Sequence, residues 1–239
     1  MRHTRGRAVS APPSSADRSA AVAHNLRRMR WGRWGIVAIV GVLAGVLIVS
    51  LQASKRSSPA AAAQPPVVTW PARSRRAPAF RLVDQTGAPV TLTAYRGRPV
   101  IVTFIDPLCR NFCPLQAKQL NELVRRMPAN ARPVILSVSV NVYGDARANL
   151  VQDVAKWQLV PQWRWAVGSH RELARVWHRY QVDVLVTTKK IAGVTVHEIT
   201  HTEAAYVIDK QGYERALFFW PFSARDVQAT LERLGSAAA

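Results

Sequence analysis

Two cysteines, Cys109 and Cys113, are the residues of this chain whose type and spacing are best suited to chemistry, and the 239 residues contain no others. A thiolate is a nucleophile and a ligand for soft metal ions, and two thiols can also close into a disulfide. The three residues between them let both sulfurs meet one metal ion or each other. The pair is therefore a candidate metal site, a redox couple or a structural disulfide.

The segments on either side of the cysteines predict how they are held. Residues 100–105 form an apolar, β-branched run, which is typical of a buried strand, and residues 114–127 have the spacing of an amphipathic helix. A thiol at the start of a helix has a lowered pKa because of the helix dipole, and we expect the neighbouring Arg110 cation to act in the same direction. The sequence thus predicts a reactive turn between strand and helix.

The rest of the chain after residue 79 predicts an α/β sandwich with an N-terminal β-hairpin at 80–93. Ligands of open α/β sheets bind beyond the carboxyl ends of the strands, where the cysteines follow the first central strand. The other predicted strands lie at 134–140, 163–167, 204–208 and 216–219, with an irregular hairpin at 182–197, and the other helices at 146–157, 169–180 and 223–234.

An uncharged apolar segment of 17 residues lies at 35–51, near the lower limit for a helix that crosses a bilayer. Four arginines at positions 27, 28, 30 and 33 precede it and two basic residues at 55 and 56 follow it, so the positive-inside rule places the N-terminus in the cytoplasm. A cleaved signal peptide is the alternative. Either interpretation predicts that the following domain is exported, so that the protein is a single-pass protein of the cell membrane or a secreted one.

The chain therefore divides into four predicted parts. We expect a disordered basic cytoplasmic tail at 1–33 and a transmembrane signal-anchor helix at 34–52. A Pro/Ala-rich linker at 53–78 then holds the α/β domain at 79–239 away from the bilayer.

The strongly basic balance of the chain has little bearing on the folded domain. The sequence contains 33 Lys and Arg against 14 Asp and Glu, a formal net charge of +19. Thirteen of the basic residues and one acidic residue lie before residue 81, which leaves 20 against 13 afterwards. Because no zinc-finger, basic-zipper or aromatic RNA-binding signature accompanies the charge, we expect no nucleic-acid function. Attraction to anionic lipid or to acidic proteins is the simpler interpretation.

Two stretches, 104–114 (FIDPLCRNFCP) and 200–212 (THTEAAYVIDKQG), resemble the Sco/SenC family of membrane-anchored, thioredoxin-fold copper proteins that serve cytochrome c oxidase assembly. That family has the motif Cys-Pro-x-x-Cys-Pro and, most of a domain later, a His five residues before the aromatic of a Tyr-Leu-Ile-Asp-x-x-Gly strand. His201 lies five residues before Tyr206 and 88 after Cys113. The resemblance covers about residues 78–236.

The resemblance implies a thioredoxin-like fold for residues 79–239 and a copper site formed by Cys109, Cys113 and His201. Two thiolates and one imidazole suit Cu(I), and suit Cu(II) if a water or carboxylate adds a fourth ligand. Oxidation of the two cysteines would form a redox disulfide. The implied client is cytochrome c oxidase subunit II, whose copper centre would receive copper or be reduced.

The chain departs from the family in the residues around the cysteines. Residues 110–112 read Arg-Asn-Phe where the family usually has Pro-Asp-Val, and residues 106 and 107 read Asp-Pro where it usually has Tyr-Thr. Asn141 stands where an Asp is common. The loss of an acid between the cysteines and the gain of Arg110 should favour thiolate and disfavour a dication by like-charge repulsion.

Several alternatives stay open. A metal-independent thiol-disulfide oxidoreductase of the ResA/TlpA group would use the same cysteines, but that group has Cys-x-x-Cys and a cis-proline where residues 202–204 read Thr-Glu-Ala. A structural disulfide is the simplest alternative, and Zn(II) would accept the same donors, although closed zinc sites nearly always have four protein ligands. His197 is an alternate ligand four residues before His201, whereas His170 and His178 are expected to be solvated or to pack.

Overall fold

The computed structural model describes residues 64–236, so the predicted tail at 1–33 and the predicted membrane helix at 34–52 lie outside the described residues. Among the residues that are described, no helix combines the length and the apolar character needed to cross a membrane. In chain order the elements are β1 (Val68–Thr69), β2 (Arg81–Val83), β3 (Pro89–Thr91), β4 (Val100–Ile105), α1 (Phe112–Arg126), β5 (Val134–Ser139), α2 (Arg147–Lys156), β6 (Trp163–Ala166), α3 (His170–Arg179), β7 (Val184–Ile191), β8 (Val194–His201), β9 (Ala204–Ile208), β10 (Glu214–Phe219) and α4 (Ala224–Ser236).

A six-stranded mixed sheet forms the centre of the domain, in the order β1-β10-β9-β4-β5-β6. The strands β4, β5 and β6 are parallel, and β9 runs antiparallel to β4. Every residue of β4, β5 and β9 is buried, because both faces of the sheet are covered. This burial explains why those strands are apolar in almost every position rather than alternating.

Two hydrophobic layers pack on the two faces of the sheet. Ile101 and Ile105 belong to the layer that contains α1 and α4. Val102 and Phe104 belong to the layer that contains α3 and the small β2–β3 hairpin. Residues of β4 thus contribute alternately to both layers, as the pleat of a strand requires. The predicted α/β sandwich with an N-terminal hairpin is confirmed.

The hairpin predicted as irregular at 182–197 is in fact a regular ladder of two eight-residue strands, β7 and β8. Ile191 pairs with Val194, so the turn has only two residues, Ala192 and Gly193, with φ angles of 50° and 82°. Two successive positive φ angles are the signature of a type I′ turn, which matches the twist of paired strands. Alanine is uncommon at such a position, and the sequence therefore gave a weak turn signal. The second strand extends to His201.

Part of the predicted linker at 53–78 is packed against the sheet. The edge strand β1 pairs antiparallel with β10, and the Trp70 ring stacks on Tyr206 with ring centroids 6.4 Å apart. Ala77 is buried as well. The folded part of the chain therefore includes residues before 79.

Candidate metal centre

The turn that carries the cysteines is fixed by hydrogen bonds to Asp106. The Asp106 carboxylate accepts the Leu108 backbone N–H at 2.8 Å and the Asn141 side-chain amide at 2.9 Å. Its backbone carbonyl accepts the Cys109 N–H at 3.1 Å. The helix α1 then begins at Phe112, two residues before the predicted start. Cys113 accordingly lies within the first helical turn, and the turn that begins at Asp106 separates it from the end of β4.

The two cysteines are free thiols with different environments. Cys113 is fully buried, whereas Cys109 is partly exposed and its Sγ accepts the Cys113 backbone N–H at 3.5 Å. A hydrogen bond from the Cys113 thiol, helped by the backbone N–H groups of residues 111–113 and opposed by burial, lowers the pKa of Cys109 to about 5. At neutral pH Cys109 is therefore a thiolate.

Cys113 keeps its proton in the metal-free protein. Its thiol is committed to the hydrogen bond with Cys109, and burial and the negative charges of the Cys109 thiolate and Glu203 also raise its pKa. The Arg110 guanidinium donates to the backbone carbonyls of Pro107 and Cys109, at 3.1 and 3.2 Å. The Cys113 thiol and the N–H groups at the helix start, rather than the Arg110 cation that we expected, thus stabilise the thiolate.

His201 reaches Cys113 from a strand 88 positions later. Its Nε2 lies 3.9 Å from the Cys113 sulfur, and its Nδ1 lies 3.1 Å from the Thr202 carbonyl oxygen. A carbonyl can only accept, so Nδ1 carries the proton and Nε2 of the neutral ring carries a lone pair directed towards the sulfur. Burial lowers the pKa of His201, which favours this neutral form. The imidazole is thereby prepared to act as a metal ligand.

Glu203 is a further residue of this site. From the sequence it is one of three residues, with Glu198 and Asp183, that could supply an extra carboxylate, and nothing in the spacing selects it. The Cys113 sulfur, a ring nitrogen of His201 and a carboxylate oxygen of Glu203 all lie within 4.8 Å of one another. Cys109 does not belong to this cluster and joins it through Cys113. One signal in the sequence points to Glu203, since it is an acidic residue directly before the wholly apolar strand β9. Burial, together with the negative Cys109 and Asp106, raises the pKa of Glu203 to about 7.

Residues 70–235 match the sequence profile of the SCO1/SenC family. The chain belongs to the SCO1/SenC family. No curated protein sequence matches the chain. Residues in the matched range include the cysteine turn, His201 and Glu203, so the whole candidate site lies in the part that is typical of SCO1/SenC proteins.

Solved structures of SCO1/SenC proteins have the same fold. Copper-bound ScoI of Bradyrhizobium japonicum is 24% identical with a TM-score of 0.58, covering 66% of this chain and 99% of its own. Copper-bound yeast Sco1 is 16% identical with a TM-score of 0.58, covering 69% and 88%. BsSco, described as a member of the Sco family of cytochrome c oxidase assembly proteins with a disulfide switch, is 19% identical with a TM-score of 0.56, covering 72% and 99%. The predicted thioredoxin-like fold is confirmed.

The other histidines of this SCO1/SenC domain lie outside the cluster. His197 stacks on Tyr143, with ring centroids 3.7 Å apart, and its Nδ1 lies 3.0 Å from the Thr188 hydroxyl. His170 and His178 lie on α3, which packs in the layer opposite to Cys113. The structure therefore brings His201, and not these residues, next to a cysteine.

The difference between the two thiols predicts their reactivity. In the reduced, metal-free domain, iodoacetamide should alkylate Cys109 rapidly at pH 7, because it is an exposed thiolate, and leave the buried Cys113 unmodified. As the pH falls through about 5, Cys109 becomes protonated and the alkylation rate should decline. Mass spectrometry of the alkylated peptide against pH measures this. A midpoint near 8.5, the value of an ordinary thiol, would contradict the assignment.

Proposed function

We propose that this chain is an exported, membrane-anchored copper protein of cytochrome c oxidase assembly, which holds copper between Cys109, Cys113 and His201. The observation that carries the proposal is the 3.9 Å approach of the His201 Nε2 lone pair to the Cys113 sulfur. Two sulfurs and one imidazole are a soft donor set, which suits copper better than harder divalent ions. The copper named in the descriptions of the Bradyrhizobium and yeast proteins supports the same conclusion.

Each proposed ligand has a distinct part in taking up and releasing copper, which is the cargo of this protein. Cys109 is partly exposed and already ionised, so it is the ligand that an incoming ion meets first. Cys113 must give up its proton on binding, which makes uptake dependent on pH. His201 closes the site from the strand β8. Because Cys109 is the exposed ligand, ligands of a client protein would approach the copper from its side.

The proposed client is cytochrome c oxidase subunit II, either through delivery of copper or through reduction of oxidised cysteines at its copper centre to thiols. The support is the family membership of this chain and the description of BsSco as belonging to cytochrome c oxidase assembly proteins. Both roles use the same two cysteines, as ligands in one case and as electron donors in the other.

The oxidation state of the two cysteines should control copper binding. Comparison of the reduced and the disulfide form of the domain therefore tests the proposal. A sulfur in a disulfide has lost the thiolate that the metal needs, so oxidation and binding exclude each other. We expect the reduced domain to bind one Cu(I) per chain and the oxidised domain essentially none. Metal analysis after gel filtration, with thiol titration in parallel, measures both. A reduced domain that binds no copper would contradict the proposal.

A metal-independent thiol-disulfide oxidoreductase is the second candidate, favoured by the pairing of an exposed Cys109 thiolate with a buried Cys113 thiol. The thiolate would attack a substrate disulfide and form a mixed disulfide, releasing one substrate thiolate. Cys113 would then displace the second substrate sulfur, so that the substrate gains two electrons and the cysteines become a disulfide. A domain that reduces disulfides but binds no copper would favour this function.

The proposed location also has a direct test. The charge asymmetry around residues 35–51 supports a cytoplasmic N-terminus and a folded domain on the other side of the membrane. Alkaline phosphatase, which is active only when exported, should be active when fused after Ala239 and inactive when fused after Ala23. The chain should remain with the membrane fraction. The reverse pattern of activity, or a soluble product that begins near Ser54, would contradict the anchor.

A further inference from the structure

One carboxylate oxygen beside the cysteines is buried without a stabilising contact. Oε2 of Glu203 is inaccessible to solvent and has no hydrogen-bond partner within residues 64–236. Burial of an ionised carboxylate is costly unless it is paired, and an unsatisfied buried polar group in a native protein often marks a missing ion or water. We therefore expect a cation or another polar partner to bind next to this oxygen.

Within residues 64–236, neither a lysine nor an arginine forms an ion pair with Glu203. Its partner at this distance is the His201 ring, whose Nε2 is 3.7 Å from Oε1, too far for a hydrogen bond. A copper ion bound between these residues would give the carboxylate the positive partner that it lacks.

We propose that Glu203 is a fourth ligand of this site, giving a carboxylate oxygen to Cu(II) alongside Cys109, Cys113 and His201. The inference rests on the proposed copper function and adds a residue to it. The three donor atoms of Cys113, His201 and Glu203 lie within 4.8 Å of one another, a separation that a shared metal ion can bridge. Carboxylate is a harder ligand than sulfur or imidazole, so it favours the higher oxidation state.

The backbone of Glu203 is held in place from two sides. Its carbonyl oxygen accepts the Trp220 N–H at 2.9 Å. The next carbonyl, that of Ala204, accepts the Thr103 hydroxyl of β4 at 2.9 Å. The backbone position from which the carboxylate extends is therefore fixed without a metal ion, as expected of a preorganised site.

The proposal predicts that Glu203 affects the two oxidation states of copper differently. Cu(I) is satisfied by sulfur and imidazole in low coordination, so Glu203→Gln and Glu203→Ala should leave Cu(I) affinity unchanged. Cu(II) affinity should fall by about tenfold or more. Even residues that contact a ligand rather than the metal change metal affinity by about 10- to 100-fold, and a direct ligand should matter at least as much. The Cu(II) electron paramagnetic resonance spectrum should change while its nitrogen hyperfine splitting from His201 is retained.

The experiment titrates reduced wild type and both variants with Cu(I) and Cu(II) in competition with chelators of known affinity. Glu198→Gln is the matched control, because Glu198 is an exposed carboxylate of β8, close to Glu203 in the sequence, and pairs with Lys189. This variant should bind both ions like wild type. The metal-free Glu203→Gln protein should be at least as thermally stable as wild type, because the amide replaces a carboxyl group whose ionised form is disfavoured by burial, and this result excludes misfolding as the cause.

The possible outcomes separate this inference from the proposed function. If both Glu203 variants bind Cu(II) like wild type with an unchanged spectrum, the carboxylate is not a ligand. Equal losses of Cu(I) and Cu(II) affinity would also overturn the inference, because Glu203 would then support the site without selecting an oxidation state. In either case, normal Cu(I) binding by the wild type leaves the proposed function standing, whereas a wild type that binds neither ion contradicts both.

Discussion

Replacement of either cysteine by serine should abolish tight Cu(I) binding by the reduced domain. The remaining set of one thiolate, one imidazole and one hydroxyl is a poor site for a soft ion. Loss of a residue that contacts a ligand but not the metal can lower metal affinity by about 100-fold. We expect the loss of a cysteine ligand to lower the Cu(I) affinity further. Competition with a Cu(I) chelator measures the loss for Cys109→Ser and Cys113→Ser.

Asn111→Ser provides the matched control, since Asn111 is an exposed residue of the same turn, between the two cysteines. It should bind Cu(I) like wild type. Because Cys113 is fully buried and Cys109 is not, circular dichroism should verify that Cys113→Ser remains folded. Retention of tight binding by either folded cysteine variant would remove that residue from the ligand set.

His201→Ala should abolish most Cu(II) binding and leave a weaker Cu(I) site formed by the thiolates of Cys109 and Cys113. Imidazole matters more to the harder oxidation state, so the loss should be larger for Cu(II), on the order of 100-fold, than for Cu(I). The Cu(II) spectrum should also lose its nitrogen hyperfine splitting. This loss distinguishes His201→Ala from the Glu203 variants.

His170→Ala and His178→Ala are the controls for this experiment, because both residues lie on α3 in the layer opposite to the cysteines. Neither change should alter copper binding. If His201→Ala binds both oxidation states like wild type, the histidine is only a strand residue. The next variant to examine would then be His197→Ala, although its ring is engaged with Tyr143.

Features that depend on neighbours in the sequence were predicted well. The continuous apolar run gave β4 at its observed bounds, because burial on both faces selects an unbroken hydrophobic strand. The motif Ser169-x-x-Glu172 at the start of the helix predicted at 169–180 is typical of a capping box, and the structure has both of its hydrogen bonds at the start of α3. Turns and caps are local, so the chain within a few residues is sufficient to specify them.

Features that depend on the edge of a sheet or on the pairing of strands were predicted less well. The segment 64–78 has the composition of a linker, yet β1 pairs with β10 and Trp70 stacks on Tyr206. Proline-rich composition shows that a segment is stiff and polar, but not that a free sheet edge is available to receive it. The hairpin around Lys189, Lys190 and Gly193 was predicted, but not its regular type I′ turn at Ala192 and Gly193, because alanine seldom adopts the positive φ angle that this turn requires.

The sequence by itself determined the α/β class, the position of the cysteines after the first central strand and, through a resemblance, the choice of His201. Only the tertiary structure decided which side chains meet. Because β9 runs antiparallel to β4, with Thr103 paired to Ala205, the start of β9 lies beside the end of β4. That pairing brings His201 and Glu203 to the cysteine turn. The contact depends on strand register across about a hundred residues, which no local pattern in the chain encodes.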